Sequence, residues 1–223
     1  MPAIGRRQLI AAIALLVPSF ARAQVPGMSG AAGPMPWRKI PSVTVVWFDD
    51  EERVRIVREA VAYWNRLFAE IGTPFRLGPV GYAAGLIPAD QLTAISQQVL
   101  GGTRPDLPAN IEQVAGDIVV ALSDGDFISF GMRWPPRQKA LVAIKSNVRY
   151  PLGLGNVERN VVAHELGHAI GLRHNSDPAM LMCGRPAPCR PDVFAGGTER
   201  FFPLTEQEKA ALRAMYPSGW PAR

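Results

Sequence analysis

Every histidine of this 223-residue chain, His164, His168 and His174, falls within eleven consecutive positions of the stretch HELGHAIGLRHNSDPAMLM (164–182). That spacing dictates local structure. Side chains four apart lie one turn above each other on one helix face, so a helix through this stretch presents His164 and His168 to a single point. Asn156 is the expected N-cap of that helix, which runs through VERNVVAHELGHAIG with Val157, Val161, Leu166 and Ile170 available for packing. Gly171 is free to take the left-handed conformation that ends a helix and turns the chain sharply, which swings His174 back towards the same point. Three neutral imidazoles with an open fourth position are the donor set of a catalytic zinc ion. Glu165, next to the first of them, is placed to take a proton from a metal-activated water and to pass it to a leaving amine. A single histidine on a helix is ordinarily packed or solvated. Here the full pattern HExxHxxGxxH is present and no histidine lies outside it.

The chain opens MPAIGRRQLIAAIALLVPSFARA, with basic Arg6 and Arg7, an apolar run from Leu9 to Val17 and a small-x-small ending at Ala21-Arg22-Ala23. Residues 1–23 therefore read as a cleaved export signal. The apolar run has about half of the ~20 residues that span a bilayer, so no stable membrane anchor is expected. Arg6 and Arg7 followed by Gln8, Leu9 and Ile10 also resemble a twin-arginine signal. Without this segment Lys and Arg fall from 24 to 21 against 19 acidic residues, and the formal charge is +2 rather than +5. Much of the basic balance thus belongs to the signal, and nucleic acid is not an expected partner. In an exported chain Cys183 and Cys189, with five residues between them, read first as a short-loop disulfide, with metal ligation or free thiols as the alternatives.

Residues 24–41 are rich in Gly and Pro and read as a linker or N-terminal arm, followed by one domain over 42–223. SVTVVWF (42–48) is β-branched and aromatic, as a strand should be. Asp49 or Asp50 can cap the helix that follows, in which Val54, Val57, Val61, Trp64 and Phe68 recur at helical spacing until Gly72 and Pro74 stop it. FRLGPV (75–80) is a candidate strand, PADQLTAISQQVL a short surface helix within the poorly legible 81–116, and DIVVALS (117–123) and ALVAIKSN (140–147) are compact apolar strands. Asp124 and Asp126 around Gly125 read as a plain turn, and a calcium requirement is not readable. The order predicts a twisted sheet backed by helices.

HELGHAIGLRH resembles the zinc-binding signature of the metzincin metallopeptidases, and its surroundings resemble the matrixin branch in a bacterial form. The resemblance implies His164, His168 and His174 as ligands of one Zn2+ ion, Glu165 as the catalytic base and Gly171 as the turn glycine. Pro178 and Met182 fall four and eight residues after the third histidine. This implies Met182 as the Met-turn methionine beneath the zinc, with Met180 as the competitor that spacing disfavours. LTEQEKAALRAMYP (204–217) resembles the closing helix of matrixins, and its Thr205 and Glu208 form a capping box. The implied fold is α+β, a metzincin-like zincin fold with a twisted mixed sheet, an active-site helix and a C-terminal helix.

The implied activity is that of an exported zinc-dependent metalloendopeptidase, periplasmic or secreted, acting as a monomer on protein or peptide substrates. Substrate would be added to a sheet edge within 117–147, where Arg133, Trp134 or Lys145 could line it. No histidine is left for a second, structural zinc, and no cysteine precedes Cys183, so a cysteine switch is excluded. Cys183 stands where relatives often carry Tyr, and a Cys183 to Cys189 bridge would brace one wall of the substrate cleft. The alternative is a zinc-containing binding or adhesion module that keeps the fold with little turnover. Glu165 argues against it, because a structural zinc has no need of a base beside its ligand.

Overall fold

A computed structural model describes residues 35–47, 51–145, 150–185, 187, 189, 194–196 and 200–221. Residues 1–23, expected to be an export signal, the first part of the Gly/Pro-rich arm and the candidate caps Asp49 and Asp50 lie outside the described residues. Five strands form one sheet: β1 (Val43–Trp47), β2 (Val80–Ala84), β3 (Ile118–Ser123), β4 (Phe130–Trp134) and β5 (Lys139–Lys145). Their order is β2-β1-β3-β5-β4, with every pairing parallel except that of β4 with β5. The chain is therefore α+β with a mixed sheet.

Both faces of the sheet are covered, which is why β3 and β5 read as nearly unbroken apolar runs rather than as alternation. On one face Val43, Val45, Ile118, Val120, Val142 and Ile144 pack against α1 (Glu51–Glu70) and α4 (Gly155–Ile170). On the other, Val46, Val119, Ala121, Leu141 and Ala143 meet α2 (Ala89–Leu100) and α3 (Ala109–Gln113) through Leu92, Ile95 and Ile111. Helix α1 buries Val54, Val57, Val61, Trp64 and Phe68, the stripe its periodicity predicts, and Gly72 follows it at φ 74°. Helix α2 is amphipathic rather than merely superficial, with Leu92, Ile95 and Ser96 buried.

Three local expectations need correction. FRLGPV does not form a strand, because the ladder with β1 begins only at Val80. Phe75 and Leu77 turn into the core instead, Gly78 N–H donates to Pro41 O at 2.8 Å, and Pro79 has no N–H to offer a ladder. The antiparallel strand β4, FGMRW, was not foreseen as an element of its own. Asn156 is not the N-cap. Leu154 holds that place, and the Asn156 side chain spans to Phe194 O at 2.7 Å and Arg200 N at 3.0 Å, buried partners that outcompete a cap.

The described end of the arm is bound to the domain. Trp37 is fully buried, donates to Ala169 O at 2.9 Å and accepts from Trp220 Nε1 at 2.6 Å. The last helix, α5 (Glu206–Met215), starts with the full reciprocal capping box of Thr205 and Glu208. After it Tyr216 stacks on Phe75 at 3.9 Å and donates to Ile170 O at 2.7 Å, which ties the C-terminus to the end of α4.

Trp64 joins α1 to α4 by donating to Ala163 O at 3.0 Å from a fully buried ring. Trp64→Ala should cost about 3–5 kcal/mol of unfolding free energy, measured as a lowered midpoint in urea with the slope unchanged.

Candidate metal centre

Helix α4 is buried almost all round, with only Gly155 and His168 of its sixteen residues missing from the buried set. A helix in that position must satisfy every polar side chain inside the protein. His164 and His168 do so in parallel. His164 Nδ1 lies 2.7 Å from Leu181 O, and His168 Nδ1 lies 2.9 Å from Leu172 O. Gly171, at φ 121°, ends the helix with its N–H shared between Gly167 O and His168 O at 3.1 Å each, and the chain turns back to deliver His174. His174 Nδ1 lies 3.0 Å from Arg185 O.

A carbonyl oxygen only accepts, so each of the three rings carries its proton on Nδ1 and turns a lone pair outward from Nε2. These lone pairs converge. His168 Nε2 and His174 Nε2 are 3.0 Å apart, and His174 Nε2 and His164 Nε2 are 3.2 Å apart. Among the described residues this is the group of histidines, cysteines and carboxylates able to hold a metal ion. Burial holds the His164 pKa down to about 4 and pushes that of His168 further below its ordinary value and that of His174 down as well. The rings therefore stay neutral in neutral solution. Three acceptors facing one another without a shared proton repel, and a cation at their focus removes the repulsion.

Glu165 is buried beside the ligand helix face, and burial pushes its carboxyl up to about 8 against the opposing pull of the Gly131 N–H. A nearby cation favours the ionised form of such a group. Gly131 is a position that sequence reasoning passed over. A Cβ there would overlap Glu165 O and come within 2.8 Å of His168 Cβ, so only glycine lets β4 lie against α4 at the site. The available signal was an isolated glycine inside an apolar run, the mark of close backbone approach.

Met182 is fully buried in the turn that follows His174, held by Asn175 N–H donating to its carbonyl at 2.9 Å. Its Sδ lies 2.5 Å from where a Cβ on Gly167 would be, and Trp64 lies on the other side of that glycine at 3.2 Å. Met182 thus packs on the helix turn between His164 and His168. Met180 is only half-buried. Cys183 and Cys189 form a disulfide. Of the residues considered for the cleft, Lys145 borders it but is paired with Asp126. Arg133 is directed elsewhere, to Ile170 O and Met35 O, and Trp134 to Pro105 O.

No protein-family model matches the chain, and no curated protein matches it either. Among solved structures it is similar to archaemetzincin from Methanopyrus kandleri, at 16% identity and a TM-score of 0.45 over 78% of this chain and 94% of that one. It is also similar to a zinc-dependent peptidase from Methanocorpusculum labreanum, at 17% identity and a TM-score of 0.42 over 76% of this chain and 99% of that one.

Gly131→Ala should lower stability by roughly 1–3 kcal/mol through overpacking against α4, read by denaturant unfolding. His174→Ala leaves two donors and should release a bound divalent ion to a mild chelator. Unchanged metal content in that variant would refute the ligand set.

Proposed function

We propose that the chain is an exported, zinc-dependent metalloendopeptidase of matrixin-like type in which Glu165 acts as general base. The observation that carries this reading is the convergence of three Nε2 lone pairs, each locked by a carbonyl behind it, beside a buried carboxyl and at the mouth of a cleft. Zinc–nitrogen bonds of about 2.0–2.1 Å in a tetrahedral site put ligand atoms about 3.3 Å apart, and the 3.0 and 3.2 Å separations fit. The donor set fits too, since three neutral imidazoles leave a fourth position for water, whereas structural zinc sites are closed.

When bound, zinc supplies a Lewis acid that polarises a carbonyl and brings the pKa of a coordinated water to about 7. The remaining work falls to the chain. Glu165 accepts the proton of the attacking water on its carboxylate and hands it to the nitrogen of the departing amine. The Gly131 N–H bonded to that carboxylate fixes its direction and favours the charged, proton-accepting form. Strand β4 is the end strand of the sheet, with β5 on one side only, so its outer edge offers backbone groups to an extended peptide.

A hollow of about 360 Å³ opens beside His164 and Glu165 and is lined mainly by Phe127, Leu152, Val161 and Phe194. It is suited to a bulky apolar side chain. An extracytoplasmic location is supported by the signal-like residues 1–23 and by the disulfide. Among the described residues no helix is long and apolar enough to cross a membrane.

Glu165→Gln should retain zinc while cleavage of an unstructured protein falls by roughly 10²–10⁴-fold, the usual contribution of a general base. Equal and negligible cleavage by both forms would leave the binding-module reading as the better one, and chelator-insensitive cleavage would overturn the zinc dependence.

A further inference from the structure

The three imidazoles are not held alike. His164 and His168 ride on α4, and the carbonyls behind them, Leu181 O and Leu172 O, lie outside the disulfide loop. His174 stands on the exposed turn after the helix, and its support comes from inside that loop. Its Nδ1 is bonded to Arg185 O. The backbone of Gly184 lies so close to the ring that a Cβ there would overlap the imidazole. Among the described residues the loop is tied back by the Asn175–Cys183 bridge of backbone, by Gly184 N–H to Asn175 O at 3.2 Å and by Cys183 N–H to Met180 O at 3.2 Å. The covalent restraint is the sulfur bridge from Cys183 to Cys189, six residues on.

The same bridge borders two hollows. Cys183 and Cys189 both border the one of about 360 Å³. Cys189 and Ile128 also border a second of about 390 Å³, which takes in the three imidazoles and is walled by Leu100 and Gly184. His164 and Glu165 border both. A substrate side chain beside the cleaved bond would enter the hollow of about 360 Å³, against the bridge.

We propose that the Cys183–Cys189 bridge is a positioning and specificity-determining element: it holds Arg185 O against His174, so that the loop-borne ligand keeps its aim, and it walls the hollow of about 360 Å³ that would take a substrate side chain. This rests on the peptidase reading above. Opening the bridge returns conformational freedom to the loop and should act on His174 alone among the ligands. Loss of the partner behind a metal-bound histidine typically weakens metal binding about 10–100-fold.

The test compares the full chain, the double variant C183A/C189A, and the native protein reduced with a water-soluble phosphine. In that reduction the phosphine gives two electrons to the S–S bond and becomes its oxide with oxygen from water, leaving two thiols. Zinc affinity is measured by competition with a chelating dye, at a temperature where circular dichroism shows all forms folded. Cleavage preference is read by mass spectrometry on a peptide library. The expected result is zinc binding weakened by about 10–100-fold in both bridge-free forms, with broadened preference at the one position whose side chain enters the hollow beside the bridge. Gly184→Ala, with the bridge intact, should reproduce the loss of affinity. A folded bridge-free form that melts earlier but keeps zinc affinity and preference within about twofold overturns the proposal, since the bridge would then serve stability alone. If the variant does not fold, the reduced native protein decides by the same criteria. A native chain that neither binds zinc nor cleaves peptides overturns the peptidase reading, and this inference with it.

Discussion

A helix buried on every side is the constraint from which the rest of the structure follows. Helix α4 carries Asn156, Glu158, Arg159, Asn160, His164 and Glu165 into the interior, and leaving any of them without a partner would cost about 1–3 kcal/mol or more. The chain is arranged to supply partners. Arg53 from α1 meets Glu158 at 3.1 Å, and Glu59 meets Arg159 at 3.1 Å. Asn160 spans three backbone groups, Asn156 O, Arg200 O and Phe202 N, all at 2.8 Å. The loop from 172 to 202 provides most of the rest, with Leu172 O, Leu181 O and Phe194 O each taking a side-chain donor from the helix. The part of the protein below the sheet is thus hung on the polar side chains of α4, and the metal centre is a special case of that arrangement.

Close approach is the second requirement, and glycine meets it at three points. Gly131 lets β4 press on the Glu165 backbone, Gly167 sits between Trp64 and Met182, and Gly184 lies over His174. Each brings a different layer to the helix: the sheet edge, the floor and the disulfide loop. A methyl group at any of them would push its layer away from the ligands. The site is small because its neighbours close in at the three places where a Cβ would have stood.

What the sequence made legible follows from how local the physics is. The pitch of α1, the capping box at Thr205 and the converging histidines depend on residues within a few positions of one another, and the structure shows each of them. Strand β4 was hidden because its pattern is set by distant partners. Arg133 in FGMRW looks like a surface residue, yet it is buried, with Nη1 on Ile170 O at 3.3 Å, Nη2 on Met35 O at 2.9 Å and its guanidinium over Trp37. Lys139 likewise reads as a strand boundary. It belongs to β5, its ammonium satisfied by Val114 O at 2.5 Å and Gly116 O at 2.7 Å. Asn156 had the right chemistry for a cap and found better partners 38 and 44 residues away. Long-range hydrogen bonds of this kind leave no periodic trace.

The separation between chemistry and selectivity has the same origin. The groups proposed to act on the peptide bond are fixed by helical pitch, by buried carbonyls and by a glycine at the sheet edge, all on rigid elements. Beyond α4, the walls of the two hollows come from 127–131, 150–152, Cys183 to Arg185, Cys189, Phe194 and the tip of α2. Most of these are connecting segments, which tolerate substitution far better than a packed helix does. Changing Leu152 or Phe194 reshapes a pocket without disturbing a ligand, whereas changing Gly167 or Asn160 disturbs the helix itself. Only at Cys183 and Cys189 do the two meet, because the loop they close both bounds a pocket and carries the oxygen that aims His174.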